Sequence, residues 1–372
     1  MNSVGAEPGL RVALHAGQLL QPVPGGIGRY VEALATGLHA FGVEVEGFAA
    51  GPCPDVLLAA TADGHVTWHD LGWPRGSARY ELWHRVRRPR VAVPGDVVHA
   101  TSFAVPPRDD RPLLVTAHGL EFMRHPDATT RRGRAFHARG LALARRDADL
   151  VITPSDFTRR DLLREGFDPG RVRTIHEGSD PAPPIADEIV NARVHSVGIS
   201  GRYVLTVGTV EPRKRLDVLV DAFGMVRATH PDLTLVIAGP EGWGDVGDLD
   251  APGVARVGRL PWSQLDALYR RAQLCCFTSI YEGFGLPVAE ALARGCPVIA
   301  TGGTAYEEVM GDAGLVVPPD DADATAAAMV ALLDDEEERS RRSTLGLHRV
   351  ATMNWSRTVE RHAAAYRELV AR

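Results

Sequence analysis

Short apolar runs alternate with amphipathic stretches along most of the chain. In the first half, LRVALHAG (10–17) and PLLVTAHG (112–119) predict buried strands, and the spacing over 134–147 predicts a helix. The alternation restarts in the second half with YVLTVGTV (203–210) and LTLVIAGP (233–240). Apolar strands separated by helices are typical of parallel sheets covered on both faces. The pattern therefore predicts an α/β fold with two doubly wound sheets.

A stretch rich in proline and polar residues interrupts this alternation at 180–200. We therefore expect an N-terminal Rossmann-like domain over 1–181, a linker over 182–199 and a C-terminal domain over 200–355. A final helix over 356–372 is expected to cross back to the first domain. Two such domains facing each other would place the carboxyl ends of their strands around one central cleft, where these sheets bind ligands.

Composition excludes several classes of protein. The chain has 372 residues and a net charge of -6, which disfavours nucleic-acid binding through overall basicity. Its four cysteines form no C-x-x-C pair, so neither a disulfide scaffold nor a thiolate zinc site is expected. We find no secretory signal and no apolar run of about 20 residues that could span a membrane. These features predict a cytoplasmic protein.

One basic residue differs from all the others. Forty of the 41 basic residues are arginine, and the only lysine is Lys214, which lies between Arg213 and Arg215 after an apolar strand. Cations at the end of a strand suit a diphosphate, because they neutralise its charge and stabilise it as a leaving group. The alternative is a solvated basic turn. We expect an exposed loop that binds phosphate.

The segment TSIYEGFGLPVAEALARGCPVIA carries two carboxylates eight residues apart. Gly283 and Gly285 would let backbone amides approach a ligand, and Pro287 suits the first position of a helix, which would place Glu290 in its first turn. The start of such a helix could hold an anion. Glu282, in an exposed loop, and Glu290 are expected to be too far apart for a glycosidase pair and to accept hydrogen bonds from sugar hydroxyls. The alternative is a surface pair beside an ordinary turn.

Two further features are weaker on their own. The turn PVPGG, which contains Gly26, precedes a helix predicted from Ile27 and could bring backbone close to a phosphate or sugar. His118 follows an apolar strand and would lie at the mouth of the cleft, where a structural role is as plausible as ligand binding.

With these residues the chain resembles the family 4 retaining glycosyltransferases of GT-B architecture, from about residue 10 to the end and most specifically at EGFGLPVAEALARGCPVIA. The resemblance implies that Glu282 contacts hydroxyls of the transferred sugar, Glu290 the nucleotide ribose, and His118 the donor sugar near the reacting carbon. It assigns the diphosphate to Arg213 and Lys214, the acceptor side to the N-terminal domain and donor binding to the C-terminal domain. The remaining donor-binding positions that it implies are Gly26, Pro240, Arg259, Leu260, Gly283, Phe284, Gly285 and Leu286.

Three positions depart from the family pattern. Gly208-Thr209 stands where relatives often have Gly-Arg, so Arg213 must supply the arginine. Glu177-Gly178 replaces the usual Asn-Gly, and His118-Gly119 replaces a His-Asp pair.

These observations predict a retaining hexosyltransferase that uses a nucleotide-sugar donor, with GDP-mannose favoured, and a saccharide, lipid-linked or natural-product acceptor. No carboxylate is placed as a covalent nucleophile, so we expect front-face attack assisted by the departing phosphate. No Asp-x-Asp loop follows a strand, so no metal and no cofactor besides the donor are expected. The alternatives are a non-catalytic nucleotide-sugar-binding subunit, a sugar-nucleotide epimerase and, less well supported, an α-glucan phosphorylase.

Positive charge is concentrated in one region of the first half. Residues 75–160 hold 17 arginines against 9 acidic residues. Within ARYELWHRVRRPR, helical spacing predicts an apolar stripe that includes Trp83, flanked by Arg85, Arg87 and Arg88. Such a segment suits peripheral contact with an anionic membrane at its inner face, or a seat for a lipid-linked acceptor. The alternatives are a basic helix packed on the core and a surface for a soluble anionic acceptor.

Overall fold

The computed structural model describes residues 9–372, which form two compact units. The first unit contains most of the first half of the chain and the last helix, and the second contains the rest. Within the described residues, the first unit comprises 9–123, 130–177 and 355–372, and the second comprises 124–129 and 178–354. No helix in the described part of the chain combines the length and the apolar character needed to cross a membrane.

The first unit is built on a parallel sheet of seven strands. They are β1 (Leu10–His15), β2 (Val43–Ala49), β3 (Val66–Asp70), β4 (Val97–Ala100), β5 (Leu113–Thr116), β6 (Leu150–Thr153) and β7 (Val172–Thr174). Their order is β3-β2-β1-β4-β5-β6-β7. The strand order therefore reverses between β1 and β4, which is the place where open α/β sheets bind ligands.

The second unit repeats this plan with six strands. They are β8 (Tyr203–Val207), β9 (Thr234–Ala238), β10 (Val254–Gly258), β11 (Leu274–Phe277), β12 (Val298–Thr301) and β13 (Leu315–Val317). All neighbours pair in parallel in the order β10-β9-β8-β11-β12-β13. The reversal falls between β8 and β11, which are the strands that precede the lysine turn and the glutamate segment.

Helices cover the faces of both sheets. They are α1 (Gly25–Gly37), α2 (Leu58–Ala62), α3 (Gly76–Arg85), α4 (Glu121–Arg124), α5 (Arg131–Asp147), α6 (Asp156–Arg164), α7 (Asp187–Ser196), α8 (Leu216–Val226), α9 (Trp262–Arg271), α10 (Leu286–Leu292), α11 (Ala305–Met310), α12 (Ala322–Asp334), α13 (Glu336–Val350) and α14 (Trp355–Val370). Every residue of β4, β5, β6, β11 and β12 is buried, as expected for strands packed on both sides. The predicted pair of doubly wound sheets is confirmed.

The stretch 182–199, expected to be a linker, instead contains α7 and belongs to the second unit. Val190 and Val194 of this helix are buried, and Asp187 pairs with Arg271 of α9 at 2.7 Å. The sequence did not predict this helix, because prolines precede it and only two of its residues, Val190 and Val194, are buried. The final helix begins at Trp355 and lies in the first unit.

The basic segment around α3 also differs from its prediction. The helix ends at Arg85, and Trp83 is only 1% exposed because it packs in the core of the first unit. The Arg87 guanidinium donates to three backbone carbonyls and to Asp147, at 2.8 Å for the carboxylate. Trp83 and Arg87 therefore stabilise the fold and do not form an exposed docking stripe. Arg85 and Arg88 are exposed.

A buried chain of hydrogen bonds attaches α14 to the first sheet. Tyr366 and His362 of this helix contact His99 at 2.7 Å and Tyr30 at 2.8 Å, and Thr116 bridges His99 and Tyr30 at 2.8 and 2.7 Å. Burial lowers the pKa of His99 well below its ordinary value and that of His362 to about 4, so both rings are neutral at pH 7.

The direction of each hydrogen bond in this network follows from His362. His362 Nδ1 donates to a backbone carbonyl one turn earlier, so its Nε2 must accept from the Tyr30 hydroxyl. Tyr30 then accepts from Thr116, Thr116 accepts from His99 Nε2, and His99 Nδ1 accepts from Tyr366. Every donor and every acceptor in this network therefore has an assigned role, which fixes the position of α14 on the sheet.

Replacing Tyr366 by phenylalanine tests this network. The substitution Tyr366→Phe leaves the buried Nδ1 of His99 without its donor, so we expect unfolding to become easier by about 1–3 kcal/mol. Urea unfolding followed by circular dichroism measures this change. Tyr80→Phe is the control, because the Tyr80 hydroxyl makes no hydrogen bond to another described residue, and it should change stability little. Equal midpoints for the two variants would contradict the role of the network.

Candidate active site

The basic turn after β8 is held by the loop that follows β11. Pro212–Lys214 form a short 3₁₀ turn, and Arg215, with φ of +47°, leads into α8. The Thr278 hydroxyl hydrogen-bonds to the carbonyls of Lys214 and Arg215, at 2.9 Å for each, and the Ile280 amide donates to the Arg213 carbonyl at 3.0 Å. The two strand-end loops therefore form one structure.

One carboxylate oxygen lies between two cations in this structure. Glu282 Oε1 accepts from Lys214 Nζ at 2.6 Å and from Arg213 at 2.5 Å, and Arg213 also donates to Glu211 at 2.5 Å and to the Tyr281 carbonyl at 2.7 Å. We call Arg213, Lys214, Glu211 and Glu282 the ion cluster. Its two positive and two negative charges balance.

Electrostatics keep Glu282 ionised. Burial by itself would raise the pKa of this carboxyl, but the charges of Arg213 and Lys214 outweigh burial and lower the pKa to about 2. Glu282 is therefore an acceptor of hydrogen bonds at any physiological pH and is unsuited to the role of a general acid. The side chains of Lys214 and Glu282 are only 12% and 13% exposed, so the prediction of exposed loops was wrong, because the two loops pack against each other.

The stem of Lys214 lies against the end of its own strand. A Cβ placed on Gly208 would come within 3.0 Å of Lys214 Cε and 3.2 Å of Nζ. Gly208 and Lys214, together with Thr206, Thr278 and Ser279, line a cavity of about 10 Å³, which is about the space of one water molecule. This close fit positions the ammonium group toward Glu282.

The glutamate segment folds largely as its glycines suggest. Gly285 has φ of +99°, and a Cβ there would lie 2.6 Å from the ring of Tyr306, so only glycine fits. Helix α10 begins at Leu286, one residue before the predicted position, and Glu290 is therefore its fifth residue and not part of its first turn. Glu290 is buried and accepts a hydrogen bond from the Tyr269 hydroxyl at 3.0 Å.

The ends of four neighbouring strands meet at one edge of the second sheet. Pro240 follows β9, where its carbonyl accepts from the Val210 amide at 3.0 Å, and Arg259 and Leu260 follow β10. Lys214 follows β8 and Glu282 follows β11, so the order β10-β9-β8-β11 brings the predicted base, phosphate and sugar positions to this edge. Gly283 and Phe284 continue the loop that carries Glu282.

The predicted site residues of the first unit lie at its own strand ends. His118 follows β5, and its nitrogens are within hydrogen-bond distance of Glu177, at 2.9 Å, and of the Thr101 carbonyl, also at 2.9 Å. The edge of the Tyr30 ring packs against it with centroids 4.9 Å apart. Gly26 lies in the first turn of α1, which begins at Gly25 and not at Ile27.

Sequence reasoning missed several side chains that support the site. Thr278 holds the basic turn, Tyr306 packs over Gly285 and bonds to Ser279 at 3.0 Å, and Tyr281 offers its carbonyl to Arg213. The dipeptide Thr278-Ser279 at the end of β11 was a signal for such a role, whereas Tyr306 has no local signal. Among the described residues, no group of three or more His, Cys, Asp or Glu side chains is arranged to hold a metal ion.

Comparison with known proteins gives the family of the chain. Residues 201–335 match the sequence profile described as "Glycosyl transferases group 1", and residues 24–182 match that of "Glycosyltransferase Family 4". The chain is 30% identical over 285 residues to the O-antigen chain mannosyltransferase B of Escherichia coli, an alignment that covers 73% of this chain and 74% of the relative.

Solved structures share the fold over nearly the whole chain. Sucrose-phosphate synthase from Thermosynechococcus elongatus superposes with a TM-score of 0.76 at 23% identity, covering 97% of this chain and 99% of that one. The Anabaena protein HepE, in complex with UDP and glucose, superposes with a TM-score of 0.72 at 17% identity, covering 97% of this chain and 100% of that one. These likenesses show the GT-B fold.

Proposed function

The chain belongs to the family 4 glycosyltransferases, and from this premise we propose that it moves a hexose from a nucleotide-sugar donor to an acceptor hydroxyl with retention of anomeric configuration. The observation that carries the proposal is the ion cluster, in which one ionised carboxylate holds two cations at the end of a parallel strand. The favoured donor is GDP-mannose.

The ion cluster suits a diphosphate that arrives with the donor. Hydrogen bonds already hold Arg213 and Lys214 in fixed positions, so they can stabilise the diphosphate without first being ordered. When they engage phosphate, Glu282 gains free acceptor capacity for hydroxyls of the sugar. The same two cations then stabilise the charge that develops on the leaving phosphate as the bond to the sugar breaks.

The electrostatics of Glu282 also support front-face attack. The charges of Arg213 and Lys214 remain next to Glu282 when they engage phosphate, and a carboxylate beside two cations is a weak nucleophile. This disfavours a covalent glycosyl intermediate on Glu282. In the proposed step, the bond between the anomeric carbon and the β-phosphate oxygen breaks while the acceptor oxygen bonds to that carbon on the same face. The acceptor proton passes to the leaving phosphate, so no metal is required.

The choice of GDP-mannose rests on the EPRK form of the phosphate turn and on the likeness to a mannosyltransferase. HepE, which shares the fold, was solved with UDP and glucose, so UDP-glucose is the principal competitor. A sugar-nucleotide epimerase would convert the donor without an acceptor, and a non-catalytic binding subunit would bind the donor without consuming it.

A panel of GDP-, UDP- and dTDP-linked sugars identifies the donor by thermal shift. A ligand that binds the folded state at 100 times its Kd adds about 2.7 kcal/mol of stability, so the correct nucleotide should raise Tm by several degrees. We expect GDP-mannose to give the largest shift. A larger shift with UDP-glucose would contradict the choice of donor. Proton NMR of the product made from the favoured donor tests whether the anomeric configuration is retained. The same spectra test the epimerase alternative, in which the donor is converted without an acceptor.

Lys214 gives the sharpest test of the ion cluster. Arginine is the usual basic residue of this chain. Its head group is larger than that of lysine, and the lysine stem already lies close to Gly208. We therefore expect Lys214→Arg to lose at least tenfold in kcat/KM. Lys214→Ala should lose about 10²–10³-fold, as expected when a preorganised charge is removed from a developing anion. Initial rates of donor consumption, with and without EDTA, measure these effects and the expected independence of metal.

The control is Arg215→Lys in the same turn, because Arg215 pairs with Asp217 and Asp320 and not with Glu282. It should retain activity. Glu282→Ala is a poorer test, because removing the carboxylate leaves two half-buried cations without this partner and destabilises the fold as well. Lys214→Arg with wild-type activity would show that the lone lysine has no special role.

We also propose peripheral contact with an anionic membrane, on different residues from those first predicted. Trp73 is 88% exposed in the loop before α3, and the buried Arg79 guanidinium donates to the four backbone carbonyls of 71–74, which holds this loop in place. Exposed Arg85 and Arg88 lie at the other end of α3. An exposed indole and exposed arginines in one segment suit the interface of an anionic bilayer.

Vesicle sedimentation tests this contact. The protein should sediment with vesicles that contain anionic lipid, should not sediment with neutral ones, and should be released at high salt. The combined change of Trp73, Arg85 and Arg88 to Ser should abolish sedimentation, whereas Trp243→Ser, at a half-exposed tryptophan of the second unit, should not. Equal, negligible sedimentation with both kinds of vesicle would favour a soluble acceptor.

A further inference from the structure

A short segment of the first half of the chain belongs to the second unit. Residues 124–129 lie between α4 and α5, yet they cluster with residues 178–354. The segment contains His125, which sequence analysis did not single out. Its place in the second unit brings a histidine to the loops that carry the ion cluster.

His125 lies next to the residues that hold Arg213. Its ring centroid is 6.1 Å from that of Tyr281, which is buried and whose carbonyl accepts from Arg213 at 2.7 Å. Burial lowers the pKa of His125, the charge of Asp320 opposes this change, and the charge of Arg213 adds to it. Asp320 itself is paired with Arg215.

The two histidines near the predicted site differ in what their nitrogens do. Both nitrogens of His118 have partners, Glu177 and the Thr101 carbonyl. Neither ring nitrogen of His125 hydrogen-bonds to another described residue, and the side chain is half-buried. His125 is therefore a half-buried imidazole with available nitrogens, next to the Tyr281 whose carbonyl holds Arg213. This position suits a hydrogen bond to an anion that Arg213 would bind.

We propose that His125 is a donor-binding residue that hydrogen-bonds to the diphosphate of the nucleotide alongside Arg213. This inference rests on the proposed function, because it assumes that the ion cluster receives the diphosphate. His125 adds a donor from the first half of the chain to a phosphate site otherwise made by the second half.

The affinity for the nucleotide should depend on pH through His125. His125 is neutral at pH 7 in the free protein because its pKa is lowered, whereas a diphosphate against the ring favours the imidazolium form. Binding should therefore take up a proton, and affinity should rise as the pH falls through the raised pKa of the complex. The charged groups that face the ring are Arg213 and Asp320.

The experiment measures binding of GDP and of UDP by isothermal titration calorimetry at pH 6, 7 and 8, in buffers of different ionisation enthalpy. Wild type, His125→Gln, His125→Phe and a control, His348→Gln at an exposed position of α13, are compared. We expect both His125 variants to bind the preferred nucleotide about tenfold or more weakly at pH 6, as for the loss of a hydrogen bond to a charged group. They should take up fewer protons than wild type, and the control should match wild type.

His125→Phe separates binding from packing, because phenylalanine keeps the ring against Tyr281 and loses the nitrogens. If His125→Phe binds with wild-type affinity and proton uptake, the ring only packs and the inference is overturned. If wild type binds neither nucleotide, both the inference and the proposed function fail. Binding that depends on His125 without any sugar transfer would support the inference and count against the proposed reaction.

Discussion

The candidate site depends on the balance of charge within the ion cluster of the second unit. Lys214 and Arg213 are mostly removed from water, which is costly for cations unless carboxylates lie beside them. Glu282 and Glu211 supply those carboxylates, and the Thr278 hydroxyl fixes the backbone of the turn. The loops after β8 and β11 are therefore obliged to pack together, and this packing brings the proposed sugar-binding and phosphate-binding positions to one place.

The strand order of each sheet determines where a cluster of this kind can form. The strand order reverses between β1 and β4 in the first unit and between β8 and β11 in the second. At each reversal the loops that follow the two strands run in opposite directions, which leaves a crevice between them. The ion cluster lies at the second reversal. Near the first, the hydrogen-bond chain from Tyr366 to His362 fixes α14, so that the last helix of the chain becomes part of the first unit.

The segments that were predicted wrongly share one physical cause. Trp83 and Arg87 have the composition of a basic amphipathic surface, yet the tryptophan packs in the core and the arginine satisfies backbone carbonyls and Asp147. Stretch 182–199 has the composition of a linker, yet α7 packs two valines in the second unit. Composition shows which environments a segment tolerates, but not which partners it meets. Arg87 pairs with Asp147, 60 positions away, and Asp187 of α7 pairs with Arg271, 84 positions away.

The sequence by itself determined the two parallel sheets, because apolar runs of strand length between helices can be buried in few other ways. It also determined the chemistry of the candidate site, because a single lysine and a Gly-rich glutamate segment are visible locally. Only the tertiary structure decided that Lys214 and Glu282 are largely buried partners, that both nitrogens of His118 are engaged, and that His125 lies next to Tyr281, which holds Arg213. These are contacts between residues far apart in the chain, and no local pattern encodes the distance between them.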